Sequence, residues 1–276
     1  MAAYGGGMGR RREAVSDVVG SGGAMDQVAE FRILGPLEIR VGSTSVLVTA
    51  RREALALAAL LFHAGDIVVT DDLAAAVWGS RLPANPANQI AFCVSSLRRR
   101  LRAVGADGAL IATRAPGYLL RDKHALLDTA IVDTHVSHAH EALANGRREE
   151  ALWHLGEALG CWRGPILPAM RSKWLAPDIL RWEERRTTLF EQRIQLALDL
   201  GRHNRVIGEL SAMVADHSMR EHLREQLMVA LYRSGRRAEA LGVYTVTRRL
   251  FRDELGIEPG SRLRRIRDAI HSGTLK

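Results

Sequence analysis

One stretch of the chain places side chains that can read nucleic-acid bases at regular helical spacing. Between residues 87 and 104, polar, aromatic and basic side chains recur every three or four positions: Asn88, Phe92, Ser95, Arg99 and Arg102. Residues at these intervals lie on one face of an α-helix. Asparagine can bond an adenine edge through two atoms, arginine can bond guanine, and an apolar group can contact the thymine methyl. This column predicts a helix that reads DNA in the major groove.

A second set of residues on the same segment is apolar and has the same spacing. It comprises Ile90, Val94, Leu97, Leu101 and Val104. Helix geometry places this stripe about 200° around the axis from the polar column, so one face packs on a core while the other faces outward. We expect Asn88, Gln89 and Phe92 to lie deepest in the groove, with Ser95 beside them. Further along the helix lie the arginines expected to pair with phosphates: Arg98, Arg99, Arg100 and Arg102.

Two flanking features extend this surface. Arg114 stands at the tip of a predicted β-hairpin and can reach a minor groove or a phosphate. Arg51 and Arg52 stand at the start of another helix, whose free N–H groups and positive dipole end favour a phosphate. The alternative is a solvated arginine-rich face, which is the usual meaning of an isolated arginine run. The position of the column between a turn and a hairpin favours DNA binding.

The elements around this helix follow a recognisable order. Short β-type runs occupy 31–34, 38–41 and 46–48, and Thr49 is predicted to cap a helix from Glu53 to His63. A strand at 67–69 follows, and Thr70 is predicted to cap a helix that runs through Trp78. After the long helix from about Ala87 to Val104 come two strands, at 110–114 and 118–121. This is the order of an OmpR-like winged helix-turn-helix, in which the terminal hairpin is the wing.

From about Asp128 the chain is helical and carries an internal repeat. Gly146, Gly201 and Gly235 each stand between two apolar helices, and the second and third are 34 residues apart, the tetratricopeptide period. Hydrophobic residues follow each glycine at equal offsets: Ala151, Val206 and Ala240, then Leu155, Leu210 and Tyr244. The gap of 55 residues between the first two glycines implies an insertion around 162–165. An ordinary bundle with chance glycines is the alternative.

These patterns predict a mainly α protein with a small β component. We expect a disordered, glycine-rich leader over residues 1–29, a winged-helix DNA-binding domain over 30–122, and an all-α tetratricopeptide-like domain over 123–276. The true start of the chain could be Met1 or Met25. The segment before the winged helix is too short for a receiver domain.

The composition is basic, with 39 Lys and Arg residues against 31 Asp and Glu and a formal net charge of +8. This excess favours polyanionic partners, although a codon bias towards arginine explains it equally well. Cys93 and Cys161 stand far apart without metal-ligand spacing, which suits a reducing cytoplasm. No apolar run is long enough to span a membrane, and no apolar segment follows the arginines at 10–12. We therefore expect a cytoplasmic protein that acts at the nucleoid.

No pattern assembles catalytic chemistry. Phosphate-loop, nucleophile-elbow and metalloprotease motifs do not occur in the sequence, so we expect no enzyme activity, no cofactor and no metal. His135, His138 and His140 lack a Cys or acidic partner at a ligand spacing and are expected to lie on a helix surface. The five tryptophans are expected to be core anchors: Trp78, Trp153, Trp162, Trp174 and Trp182.

Several motifs resemble those of the Streptomyces antibiotic regulatory proteins. The segment from Asn88 to Arg99 is similar to their recognition helix, and residues 117–120 are similar to their wing. Residues 161–165 (CWRGP), 231–236 (LYRSGR) and 254–260 (ELGIEPG) resemble their bacterial transcriptional activation domain. The resemblance covers about residues 31 to 272.

The resemblance implies a pathway-specific activator of secondary-metabolite genes. Such proteins bind tandem direct repeats near the −35 promoter element, as dimers on DNA, and recruit RNA polymerase holoenzyme with its sigma factor. Larger relatives carry an ATPase, and this chain resembles the small form. Two positions depart from the family pattern: Glu53 places a negative charge where a phosphate contact is expected, and Ser96 stands where many relatives have arginine.

A different class of function fits part of the same pattern. A tetratricopeptide-type interaction adaptor with a degenerate winged helix would have the same helical domain. It would lack the steep loss of DNA affinity with rising salt that phosphate contacts produce. The operator sequence, the metabolite pathway, any effector ligand and the oligomeric state off DNA do not follow from the sequence.

Overall fold

The computed structural model describes residues 28–275. The first half contains strands β1 (Ala29–Arg32), β2 (Glu38–Val41) and β3 (Thr44–Leu47), helix α1 (Arg51–Phe62), strand β4 (Ile67–Val69), helices α2 (Thr70–Trp78) and α3 (Pro86–Ala103), and strands β5 (Ile111–Arg114), β6 (Gly117–Leu120) and β7 (Ala125–Leu127). The second half contains helices α4 (Asp128–Ala144), α5 (Arg148–Gly160), α6 (Ala176–Asp199), α7 (His203–Asp216), α8 (Glu221–Arg233), α9 (Arg237–Leu255) and α10 (Ser261–Ser272). The predicted fold class, a winged helix followed by an all-α domain, is confirmed.

Two small sheets hold the winged helix together. One has the order β3-β2-β1-β7, with β7 parallel to β1, and the other has the order β4-β6-β5. The pairing of β7 was not predicted, because its partner β1 lies far from it along the chain. Gly117 lets β6 approach β4 closely, since a Cβ there would lie 1.9 Å from the Val68 carbonyl oxygen. The predicted leader at 1–29 lies outside the described residues, apart from Val28 and Ala29, and Ala29 already belongs to β1.

Two predicted helix caps are wrong. Helix α1 begins at Arg51 after Ala50, and no side chain caps it, so Thr49 lies too early. Thr70 is itself helical, and its hydroxyl donates to the Pro116 carbonyl (3.0 Å), which links α2 to the wing. At α2, the contact with the wing occupies the hydroxyl that a cap would need. The long helix α3 begins at Pro86, and the Asn85 side chain accepts a hydrogen bond from the Asn88 N–H (3.2 Å).

The helical half forms the predicted helix pairs. Gly146, Gly201 and Gly235 have φ angles of +71°, +74° and +78°, the left-handed conformation that glycine tolerates best. They join α4 to α5, α6 to α7 and α8 to α9. The residues at equal offsets after them are all buried: Ala151, Leu155, Val206, Leu210, Ala240 and Tyr244. The predicted insertion is the segment 161–175, which separates α5 from α6.

The inserted segment joins the two halves of the protein. The Arg163 side chain donates to the Glu38 carboxylate (3.0 Å) and to the carbonyls of Arg32 (3.1 Å) and Pro36 (3.0 Å). Its backbone N–H donates to the Leu34 carbonyl (2.9 Å). Beside it, the buried Asp128 carboxylate accepts the Leu34 N–H (2.8 Å), and burial raises the pKa of Asp128 to about 6.

One apolar core runs across this junction. It includes residues of the winged helix and of α4, α5 and one face of α6, while a second core fills the remainder of the helical half. Trp162 and Trp182 are buried in the first core as predicted, but Trp153 is 56% exposed and is not a core anchor. No helix among residues 28–275 is long and apolar enough to cross a membrane.

Candidate nucleic-acid interface

Helix α3 presents two faces of opposite character. The predicted apolar stripe is buried: Ile90, Val94, Leu97, Leu101 and Val104. The predicted column on the other face is exposed: Asn88, Phe92, Ser95, Arg99 and Arg102. The Phe92 ring is 70% exposed although its removal from water would be favourable. The helix therefore offers hydrogen-bonding groups, cations and an aromatic ring to a partner outside the fold.

A shallow groove lies between α3 and the start of α1. The predicted site residues that line it are Arg51, Arg52, Gln89, Phe92, Ser95 and Arg99, and Ala50, Glu53, Cys93 and Ser96 complete the lining. Arg52 lies over the Trp78 ring at 5.8 Å, a cation–π contact that limits where this guanidinium can point. The structure thus brings six of the predicted site residues together. Asn88 is exposed one turn earlier on α3 but does not line the groove.

Arg51 lines this groove, but its guanidinium is already hydrogen-bonded within the protein. Its guanidinium donates to the carbonyls of Val77 (3.2 Å) and Arg171 (2.9 Å). Arg171 belongs to the inserted segment, so Arg51 ties the start of α1 to the helical half. A phosphate contact by Arg51 would compete with these two hydrogen bonds.

The unusual acid at the start of α1 has a partner on α3. The Arg100 guanidinium donates to the Glu53 carboxylate, and both side chains are partly buried. The pair neutralises the negative charge that Glu53 would otherwise present to a phosphate. It also occupies Arg100, which the arginine run alone suggested as a phosphate ligand. Sequence reasoning missed this pair because the two residues are 47 positions apart.

Arg98 is also engaged within the protein. Its Nε donates to the Ile111 carbonyl (2.9 Å), and Nη2 donates to the Thr113 hydroxyl (2.9 Å). These bonds fix β5, the first strand of the wing, against α3. Arg98 therefore orients the wing, and fewer of its donors remain for a phosphate.

A second depression lies between α3 and the wing. Its basic lining is Arg98, Arg102, Arg114 and Arg121, and Asp107 is the acid beside them. Arg114 is exposed near the tip of the hairpin and donates to the Thr113 carbonyl (3.2 Å). Arg121 was not singled out from the sequence. Its place directly after β6, facing the arginines of α3, is visible only once the hairpin is folded back.

Two histidines of α4 contact His154 of α5, which was not among the histidines considered from the sequence. The Nδ1 atoms of His135 and His154 are 3.0 Å apart, and the His138 ring lies 5.0 Å from that of His154. Burial, and then the neighbouring imidazoles, hold the pKa of His154 below its usual value. Among residues 28–275 no group of three or more His, Cys, Asp or Glu side chains is arranged to hold a metal ion.

Comparison with known proteins divides the chain at the same junction. Residues 44–120 match the family described as "Transcriptional regulatory protein, C terminal", and residues 127–271 match "Bacterial transcriptional activator domain". Regulatory protein AfsR of Streptomyces griseus is 35% identical over 87% of this chain, which spans 24% of AfsR. Regulatory protein DnrI of Streptomyces peucetius is 32% identical, with 87% of this chain and 91% of DnrI aligned.

A solved structure shares the whole architecture. Mycobacterium tuberculosis EmbR, determined in complex with a low-affinity phosphopeptide, superposes with a TM-score of 0.82 at 31% identity. The match covers 90% of this chain and 66% of the EmbR chain. The shared part includes both the winged helix and the helical half.

Proposed function

We propose that this chain is a sequence-specific activator of secondary-metabolite genes. It belongs to the family of bacterial transcriptional regulators in which an OmpR-like winged helix precedes a bacterial transcriptional activator domain. This is the architecture of the Streptomyces antibiotic regulatory proteins. The family consists of DNA-binding transcriptional regulators. The proposal includes the class of target genes, binding to direct repeats in promoter DNA, and a contact with RNA polymerase. The observation that carries it is the exposed Asn88–Arg102 column on α3, placed between α2 and the wing.

The column divides into base-reading and phosphate-binding parts. Asn88, Gln89 and Ser95 carry the hydrogen-bonding groups that distinguish base edges, and the exposed Phe92 ring fits beside a thymine methyl. Arg99, Arg102 and Arg114 are exposed cations that meet the phosphate backbone without reading sequence. Arg52 adds a cation on the α1 side of the groove. Arg51 and Arg98 contribute mainly by fixing α1 and the wing.

The two halves have different roles in this proposal. Residues 30–122 bind tandem direct repeats near the −35 element, one copy of the protein on each repeat. Residues 123–276 supply the contacts between the two copies and to RNA polymerase holoenzyme. The continuous core and the Arg163 contacts support a coupling between the two halves, because they hold the winged helix against the helical half.

Footprinting of the purified protein on the promoters of neighbouring biosynthetic genes tests the proposal. Protection of two direct repeats, lost steeply with rising salt, is the expected result. Asn88→Ala should cost about 1–3 kcal/mol at one base position, whereas Arg102→Ala should weaken all sequences alike and lower the salt slope by about one ion.

The same promoters then serve for transcription with purified holoenzyme. Increased transcript, dependent on the repeats, is expected. Salt-insensitive binding would reject the phosphate contacts, and equal losses on specific and random DNA for Asn88→Ala would reject base reading by α3. That outcome would favour the adaptor function instead.

A further inference from the structure

A cavity of about 710 Å³ opens where the winged helix meets the helical half. One wall is the end of α2 and the loop after it, residues 76–81, and the other is formed by residues 170–173 and the first turns of α6. Pockets that bind small organic molecules usually have volumes of about 300–1,000 Å³. The size of this cavity is therefore suited to a single small molecule.

Hydrogen bonds join the two walls of the cavity to each other. The Ser172 hydroxyl donates to the Ala76 carbonyl (2.7 Å), and Arg51 donates to the carbonyls of Val77 and Arg171. A preformed site costs little ordering when a ligand binds. Neither wall can move far from the other while these bonds persist.

The lining of the cavity is largely apolar. Its main apolar side chains are Val77, Trp78, Met170, Ile179 and Leu180. Leu180 is 69% exposed, although it stands on a helix whose other apolar residues are mostly buried. An aromatic ring or a short alkyl chain placed here would remove this apolar surface from water.

The edge of the cavity carries uncompensated positive charge. Arg81, Arg171 and Lys173 line it, and within residues 28–275 the side chains of these three residues make no ion pair or hydrogen bond. The acid in the lining is Glu183, which lies 4.0 Å from Arg186. An anionic group on the ligand would be attracted by these three exposed cations.

We propose that this cavity binds a small amphipathic organic anion, with an aromatic or aliphatic body among the apolar residues and a carboxylate at Arg81, Arg171 and Lys173. The ligand would contact both halves of the protein at once. Because Arg51 lines both this cavity and the α1–α3 groove, the site is placed to influence the position of the recognition helix. This inference does not depend on which genes the protein controls.

The test uses 2-naphthoate as the anionic probe and 2-naphthamide as its uncharged counterpart. Binding is followed on the full chain by amide chemical shifts in NMR and by isothermal titration calorimetry. A Kd of about 1 mM is expected for naphthoate, ordinary for a fragment of this size, with shifts concentrated at residues 77–81 and 171–173. Naphthamide should bind at least about fivefold more weakly.

Charge-reversal variants make the test specific. Lys173→Glu and Arg81→Glu should each weaken naphthoate at least about fivefold and leave naphthamide unchanged. Arg265→Glu is the matched control, since Arg265 is an exposed arginine on α10, away from the cavity. Near-ultraviolet circular dichroism confirms that each variant remains folded.

Three outcomes would overturn the proposal. Equal affinity for the two probes would mean that the cations play no part. An absence of shifts at these residues up to about 10 mM naphthoate, tenfold above the expected Kd, would mean that the cavity takes no such ligand. Shifts at Arg81, Arg171 and Lys173 on addition of duplex DNA, with displacement of naphthoate, would assign the cations to the DNA interface.

Discussion

The buried carboxylate of Asp128 offers the sharpest test of how the two halves are joined. It is 1% exposed at the start of α4, where it accepts the Leu34 N–H, and its Oδ1 has no hydrogen-bond partner among the described residues. Burial raises the pKa of this carboxyl from its ordinary value of 3.8 to about 6, against the lowering effect of the Leu34 hydrogen bond and of Arg163. The change to make is Asp128→Asn, since the amide oxygen can still accept the Leu34 N–H.

The sign of the effect follows from proton linkage. A pKa that is higher in the folded protein means that the folded state binds the proton more tightly, so this group stabilises the fold at low pH and loses that contribution as pH rises through 6. The shift of about 2 units corresponds to about 3 kcal/mol, of which about 2 kcal/mol is lost between pH 4 and 7.5. The asparagine variant has no such proton.

Urea unfolding of both proteins between pH 4 and 7.5 measures the effect. The free energy of unfolding of Asp128→Asn minus that of the wild type should rise by about 2 kcal/mol over this range. A constant cost of the unpaired amide group cancels in this comparison, because it does not vary with pH. Asp216→Asn, which removes an exposed carboxylate at the end of α7, is the matched control. A flat difference for Asp128→Asn would refute the argument that the junction desolvates this carboxyl.

Two further changes test the DNA interface and the helical repeat. Glu53→Gln should release Arg100 from its ion pair and raise the salt dependence of promoter binding by about one ion. Fluorescence anisotropy at several salt concentrations measures this slope. An unchanged slope would mean that Arg100 cannot reach a phosphate. Gly235→Val should lower the free energy of unfolding by about 1–2 kcal/mol through backbone strain alone, because its φ is +78° and nothing lies within 4 Å of the added Cβ. Gly242→Ala lies inside α9 with the same free space, and it should instead raise the free energy of unfolding by about 0.5–1 kcal/mol in the same urea experiment. A similar loss of stability in the two glycine variants would contradict the strain argument.

Local pattern in the sequence was enough to predict most elements and both faces of α3. A stripe such as Ile90, Val94 and Leu97 must turn to a core wherever the helix lies, so its burial follows from spacing alone. The repeat glycines were equally readable, because glycine adopts most easily the left-handed conformation at which many helices end. The resemblance of several motifs to those of the Streptomyces antibiotic regulatory proteins then predicted the family, which the comparisons confirm.

The tertiary structure decided which partner each charged side chain contacts. Arg98, Arg99 and Arg100 are consecutive and look alike in the sequence, yet one bonds the wing, one faces outward and one pairs with Glu53. Their partners lie on other elements, and the distance between two elements in space does not follow from their separation along the chain. For the same reason β7, the Arg163 contacts and the buried Asp128 were not foreseen. Hydrophobic spacing fixes which face of an element turns inward, but only packing decides which polar group meets which.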